Sequence, residues 1–186
     1  MGGSFNPPHI GHLAIANYLC ETGAVDELWL LVTPQNPLKQ ECELLDEQLR
    51  LKMAQLAVEN YPKIKVSDFE FSLPRPSYTL HTLEALSHNY PSRDFVWVMG
   101  ADNWERFHRW YQWKTILQHY ALVIYPRPGF EVDEAALPPH VSFVQAPLMD
   151  ISSTFIRHSI GRGMDVRFFM PAPVAAFVQQ FKLYQN

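Results

Sequence analysis

An α/β fold with a parallel sheet covered on both faces is predicted by two features of the sequence. Short apolar runs at 27–33, 64–67, 94–99, 120–125 and 141–145 read as buried strands. Stretches of helical periodicity alternate with most of them, which is the pattern of strand–helix–strand units. The elements follow in order. Residues 2–8 are a Gly/Pro-rich loop, and residues 9–21 carry Ile10, Leu13, Ala14, Ala16 and Leu19 at helical spacing, with Gly23 as the stop. The strand at 27–33 ends in the loop 34–39. Asp46 caps a helix running to about Asn60, with Leu49, Met53, Leu56 and Ala57 on one face. The short strand at 64–67 and the loop 74–77 lead into a helix at 78–89. The strand at 94–99 is closed by Gly100, Ala101 and Asp102, and the loop 100–113 follows. Strands at 120–125 and 141–145 flank the turn 126–129. Helices at 152–162 and 173–183 close the chain, the last with Pro173 in its first turn.

Composition bounds the function. The 186 residues are 47% hydrophobic and 18% charged, which suits one folded domain and argues against disorder. Fifteen basic residues against nineteen acidic ones give a formal charge of −4, a balance that argues against a general nucleic-acid binder. No apolar run reaches the ~20 residues that span a bilayer. Two cysteines, Cys20 and Cys42, show no metal-ligand spacing and read as reduced thiols of a cytoplasmic protein.

In a parallel sheet, ligands collect at the carboxyl ends of the strands. The densest chemistry lies in G-G-S-F-N-P-P-H-I-G-H at 2–12. Gly2, Gly3 and Ser4 let the backbone approach a ligand, and His9 and His12 share one helical face. Gly11 removes a side chain that would keep a phosphate away, and free amides at a helix start favour phosphoryl oxygens. As a zinc site the histidine pair is weak, and no metal ligands are assigned. A second group, I-S-S-T-F-I-R at 151–157, puts Ser152 and Ser153 at a helix start with Arg157 one turn on. An ordinary N-cap explains it alone; beside the first group it becomes an anion site.

Together these two stretches resemble the HxGH nucleotidylyltransferase superfamily. Three more stretches, P-S-Y-T at 76–79, G-A-D at 100–102 and R-W-Y at 109–111, are similar to its members that adenylate nicotinate mononucleotide. The resemblance implies a Rossmann-like three-layer sandwich and transfer of AMP from ATP, with release of pyrophosphate, in NAD biosynthesis. It places His9, His12 and Arg157 in catalysis. It puts Gly3, Ser4, Phe5, Gly11, Gly100, Asp102, Ser152 and Ser153 around ATP. By the same resemblance Trp110 stacks on the pyridine ring, Thr79 and Tyr111 bind its carboxylate, and Asn6 and Lys39 contact the mononucleotide. Mg²⁺ is expected with ATP, and the partners implied are ATP and nicotinate mononucleotide. Neither nucleic acid nor membrane is implied, and a homo-oligomer is compatible. The alternatives are adenylation of nicotinamide mononucleotide or phosphopantetheine, or nucleotide binding without catalysis. One departure stands out. The superfamily's glycine loop follows a hydrophobic central strand, whereas Met1 here directly precedes Gly2, so the expectation is a sheet whose first strand is missing.

Overall fold

In a computed structural model, which describes residues 1–34, 44–59 and 61–185, six parallel strands are flanked by helices. The strands are β1 (Gly2–Gly3), β2 (Leu28–Val32), β3 (Ile64–Ser67), β4 (Val96–Gly100), β5 (Ala121–Tyr125) and β6 (Val141–Phe143). The helices are α1 (Ile10–Glu21), α2 (Glu47–Ala57), α3 (Thr79–Asn89), α4 (Ala101–Glu105), α5 (Trp113–His119), α6 (Ser153–Gly161) and α7 (Ala172–Gln180). Hydrogen bonding groups the strands as two sheets, ordered β1-β2-β3 and β4-β5-β6, with every pairing parallel.

Side-chain alternation shows how the two sheets make one layer. Leu28, Leu30 and Val32 of β2, Val98 of β4 and Val123 of β5 face one core, against Ile15, Ala16 and Leu19 of α1. Leu31, Trp97, Met99, Leu122 and Ile124 face the other, against Leu80, Leu83 and Leu86 of α3 and Ile116 of α5. Both faces are therefore buried, which is why these strands read as unbroken apolar runs. Each fully buried leucine here contributes roughly 2–3 kcal/mol. A third core joins Met53 of α2 and Ile156 of α6 to Val174 and Val178 of α7.

Two expectations need correcting. The first strand is not wholly absent: Gly2 and Gly3 pair with Leu31 and Val32 as a two-residue strand. That stub is too short to join the halves by hydrogen bonds, which explains two sheets in place of one. The stretch 100–113 is not a plain loop either, because α4 and a tight turn at Phe107–Arg109 lie within it, and α5 follows unforeseen. Helices of five and seven residues are too short to show a periodicity.

Candidate active site

A crevice of about 760 Å³ opens at the carboxyl ends of the strands. The Gly-rich loop, the N-termini of α1 and α6, the loop before α3 and the segment after β4 all meet there. Gly3, Ser4, Phe5, His9, Gly11 and His12 line it from the first group and Ser152, Ser153 and Arg157 from the second. Thr79, Gly100, Asp102, Trp110 and Tyr111 line it as well. Residues 150 positions apart in the chain thus share one cavity.

His9 is the N-cap of α1 and is 3% exposed. Its ring stacks on His12 with centroids 3.7 Å apart. Burial, reinforced by the Arg127 charge, pulls the His9 imidazole down to about 4, so it is neutral at pH 7. His12 Nδ1 accepts from the His9 amide at 3.1 Å. A neutral His12 accepting at Nδ1 carries its proton on Nε2, which makes that atom a donor. Gly11 has a packing reason of its own: a Cβ there would meet His9 Nδ1 at 3.0 Å.

The second group is bolted directly to the first. Ser152 caps α6 by accepting from the Phe155 amide at 3.1 Å. Ser153 Oγ donates to the Pro7 carbonyl at 2.8 Å, and Arg157 Nη1 donates to the Asn6 carbonyl at 3.0 Å. The start of α6 keeps amides that no helical carbonyl can reach, beside a guanidinium and two imidazoles. Such an arrangement is chemically suited to anionic oxygens.

At the far wall, Gly100 lets two charges come together, since a Cβ there would collide with Asp102 and meet Arg127 Cγ at 2.9 Å. Arg127 Nε lies 3.7 Å from Asp102 Oδ1. Arg127, in the turn after β5, lines the crevice. Trp110 presents a buried Nε1 with no hydrogen-bond partner among the described residues. The ring of Tyr111, beside it in sequence, lies 4.7 Å from that of Tyr78.

Trp97 is core, and Trp29 and Trp113 pack against the core. Trp104 stacks on Phe107. Asn6 sits apart from the other predicted contacts: it is 1% exposed, accepts from Tyr184 Oη at 2.8 Å, and lies beneath the crevice instead of lining it. Lys39 lies outside the described residues.

Two buried charged residues, Glu70 and Arg50, are not among the site residues the sequence predicted. Glu70 is 3% exposed and accepts from Thr82 Oγ1 at 3.0 Å and Ser77 Oγ at 3.2 Å, anchoring the loop that leads to Thr79. Burial pushes its carboxyl above the usual range against these hydrogen bonds. Arg50 is 1% exposed, and its guanidinium reaches the Ser4 carbonyl of the Gly-rich loop.

The model of the cytidylyltransferase-like family matches residues 1–159. The chain belongs to that family. Within the cytidylyltransferase-like family it is 52% identical over 179 residues to a Bacteroides fragilis protein called "Probable nicotinate-nucleotide adenylyltransferase", covering 96% of this chain and 89% of that one. A Bacteroides thetaiotaomicron protein of the same name is 53% identical over the same length and coverage. Among solved structures, the Plasmodium falciparum nicotinic acid mononucleotide adenylyltransferase complexed with NaAD superposes with a TM-score of 0.83. That match covers 98% of this chain and 94% of that one at 20% identity, so it speaks for the fold. The α/β architecture expected from the sequence is therefore the family's own.

Proposed function

We propose that this chain is a nicotinate-nucleotide adenylyltransferase, moving AMP from ATP to nicotinate mononucleotide. The observation that carries the reading is the meeting, in one crevice, of a phosphate-binding half and an aromatic half. His9, His12 and the α6 start with Arg157 form the first, and Trp110, Tyr111 and Thr79 form the second. The names of the bacterial relatives point the same way.

In this reading a 5′-phosphate oxygen of the mononucleotide attacks the α-phosphorus of ATP, and the bond from that phosphorus to the bridging oxygen of the β-phosphate breaks. Pyrophosphate leaves with the electron pair. The attacking oxygen is already ionised at pH 7, so no general base is required and no covalent enzyme intermediate forms. Catalysis then rests on alignment and on donors aimed at phosphoryl charge. His9 and His12 supply ring N–H groups at the α-phosphate, with the Ser4–Phe5 backbone beside them. Ser152, Ser153 and Arg157 hold the β- and γ-phosphates. Asp102 takes the ribose, and Trp110 stacks on the cationic pyridinium. Among the described residues no group of three or more His, Cys, Asp or Glu is placed to hold a metal. Mg²⁺ is therefore proposed to enter on the phosphates of ATP with water as its other ligands, and no step here runs through it.

The decisive experiment is a coupled pyrophosphate assay with MgATP and each of three acceptors: nicotinate mononucleotide, nicotinamide mononucleotide and phosphopantetheine. The reading expects the nicotinate form to react fastest by kcat/KM. ATP binding without pyrophosphate release from any acceptor would replace it with a non-catalytic nucleotide-binding role.

A further inference from the structure

We infer that Arg50 is a positioning residue for the phosphate loop, turning the Ser4–Phe5 peptide so that its N–H faces the crevice. Arg50 heads the fully buried side chains by size. Among the described residues its guanidinium has no carboxylate within ion-pair distance. It is spent on backbone carbonyls instead. Nε donates to Leu45 at 2.9 Å, Nη1 to Ser4 at 2.9 Å and to Thr33 at 2.7 Å, and Nη2 to Pro34 at 2.9 Å. One side chain thus ties three segments together: the phosphate loop, the exit of β2 and the approach to α2.

A buried cation whose hydrogen bonds all go to neutral carbonyls is a costly way to fill space, and a methionine would fill it at lower desolvation cost. The geometry of the guanidinium supplies what packing cannot. The Ser4–Phe5 peptide is not among the cis bonds, so its carbonyl and N–H point in opposite directions. Arg50 draws the Ser4 carbonyl inward, and the Phe5 N–H must then face away from Arg50, toward the crevice that Ser4 and Phe5 line. Phe5 adopts φ of 45°, a left-handed backbone that is strained for an aromatic residue. A loop in that state needs an external hold, and the four carbonyl contacts provide it.

This inference rests on reading the loop as the seat of the ATP α-phosphate, so its test uses no second substrate. The full chain and its variants Arg50→Lys and Arg50→Met are titrated with α,β-methylene-ATP by calorimetry, well below each Tm. Lysine keeps the charge but cannot span four separated carbonyls. Both variants are expected to bind the analogue about tenfold more weakly, the loss of one well-aimed hydrogen bond, while near-UV circular dichroism stays that of the parent. A lower Tm with affinity unchanged within about twofold would mean Arg50 serves the fold alone, and would overturn the inference. If neither variant folds, the parent chain carries the test by NMR. The Phe5 amide resonance should shift and its hydrogen exchange slow when the analogue is added, and an unmoved amide overturns the inference. Arg50-dependent binding in a chain that releases no pyrophosphate with nicotinate mononucleotide would uphold this inference while removing that substrate.

Discussion

At pH 7 the His9 imidazole is uncharged, because burial and the Arg127 charge hold it down to about 4. The same shift couples this residue to stability. In the unfolded chain a histidine titrates near 6.5, so between pH 6.5 and 4 the unfolded state binds more protons than the folded one. Folding stability therefore rises with pH across that window and is lost as pH falls through it. Over the whole window the loss amounts to about 3 kcal/mol. Charging His9 would also place a cation against the His12 ring, 3.7 Å away. Urea unfolding of the parent and of His9→Gln at a series of pH values checks this. The parent should lose stability between pH 6.5 and 4 more steeply than the variant, by up to one proton per molecule. Parallel curves would show that the imidazole is not held neutral. For the chemistry, the consequence is that His9 offers a directed N–H dipole and leaves full positive charge to the arginines.

The shortest strand is β1, with two residues. It bridges only the carboxyl end of the strand layer, where a Cβ on Gly2 would meet the Trp97 ring of β4 at 2.9 Å. Below it, Leu28 and Trp29 of β2 face Val96, Trp97 and Val98 of β4 across a cavity of about 660 Å³. Along that gap the two strands share no ladder. Adding five β-branched residues ahead of Met1 should let one strand pair with both edges and bury its side chains in the two existing cores. Burial at roughly 1.5–3 kcal/mol per side chain, set against about 1–2 kcal/mol per ordered residue, leaves a net gain of roughly 2.5–5 kcal/mol over the five. For a chain of this size that raises Tm by about 5–20 °C. A Gly/Ser extension of equal length should leave Tm in place, and an equal response to both would refute the strand-pairing account. This scale also shows where the sequence could be read. Strands β2 to β6 were legible because both faces are buried, which writes the strand as a continuous apolar run. The Gly-rich loop and its histidines were legible because their chemistry is contiguous. Arg50 and Glu70 were not, since each resembles a surface charge until its partners are known. For Arg50 those partners include Ser4, 46 residues away. Short α4 and α5 carry too few turns to reveal a period.

At the scale of the whole molecule, a chain with formal charge −4 is proposed to bind two anionic substrates. The distribution of charge resolves this. Arg106, Arg109, Arg127 and Arg157 line the crevice, opposed there by Asp102 and Glu70, and burial favours the neutral form of Glu70. The acidic excess therefore lies elsewhere on the surface, and a cleft with low-dielectric walls concentrates the positive field at its mouth. Such a field is screened by salt, because the Debye length falls from roughly 14 Å at about 50 mM to roughly 4 Å at about 500 mM. The KM for ATP should consequently rise severalfold over that range, with Mg²⁺ held in excess. The kcat should change little, because contacts inside the crevice are shorter than either screening length. Tm should shift only slightly, since exposed ion pairs, such as Arg75 with Glu47 and Lys63 with Glu21, are already screened by solvent and add little to stability. Steady-state kinetics at fixed temperature, paired with a melting series in the same buffers, measures all three. A KM indifferent to salt would mean that short-range hydrogen bonds at the loop and the α6 start do the binding unaided. A KM that rose only where Tm fell would instead trace the effect to loss of fold.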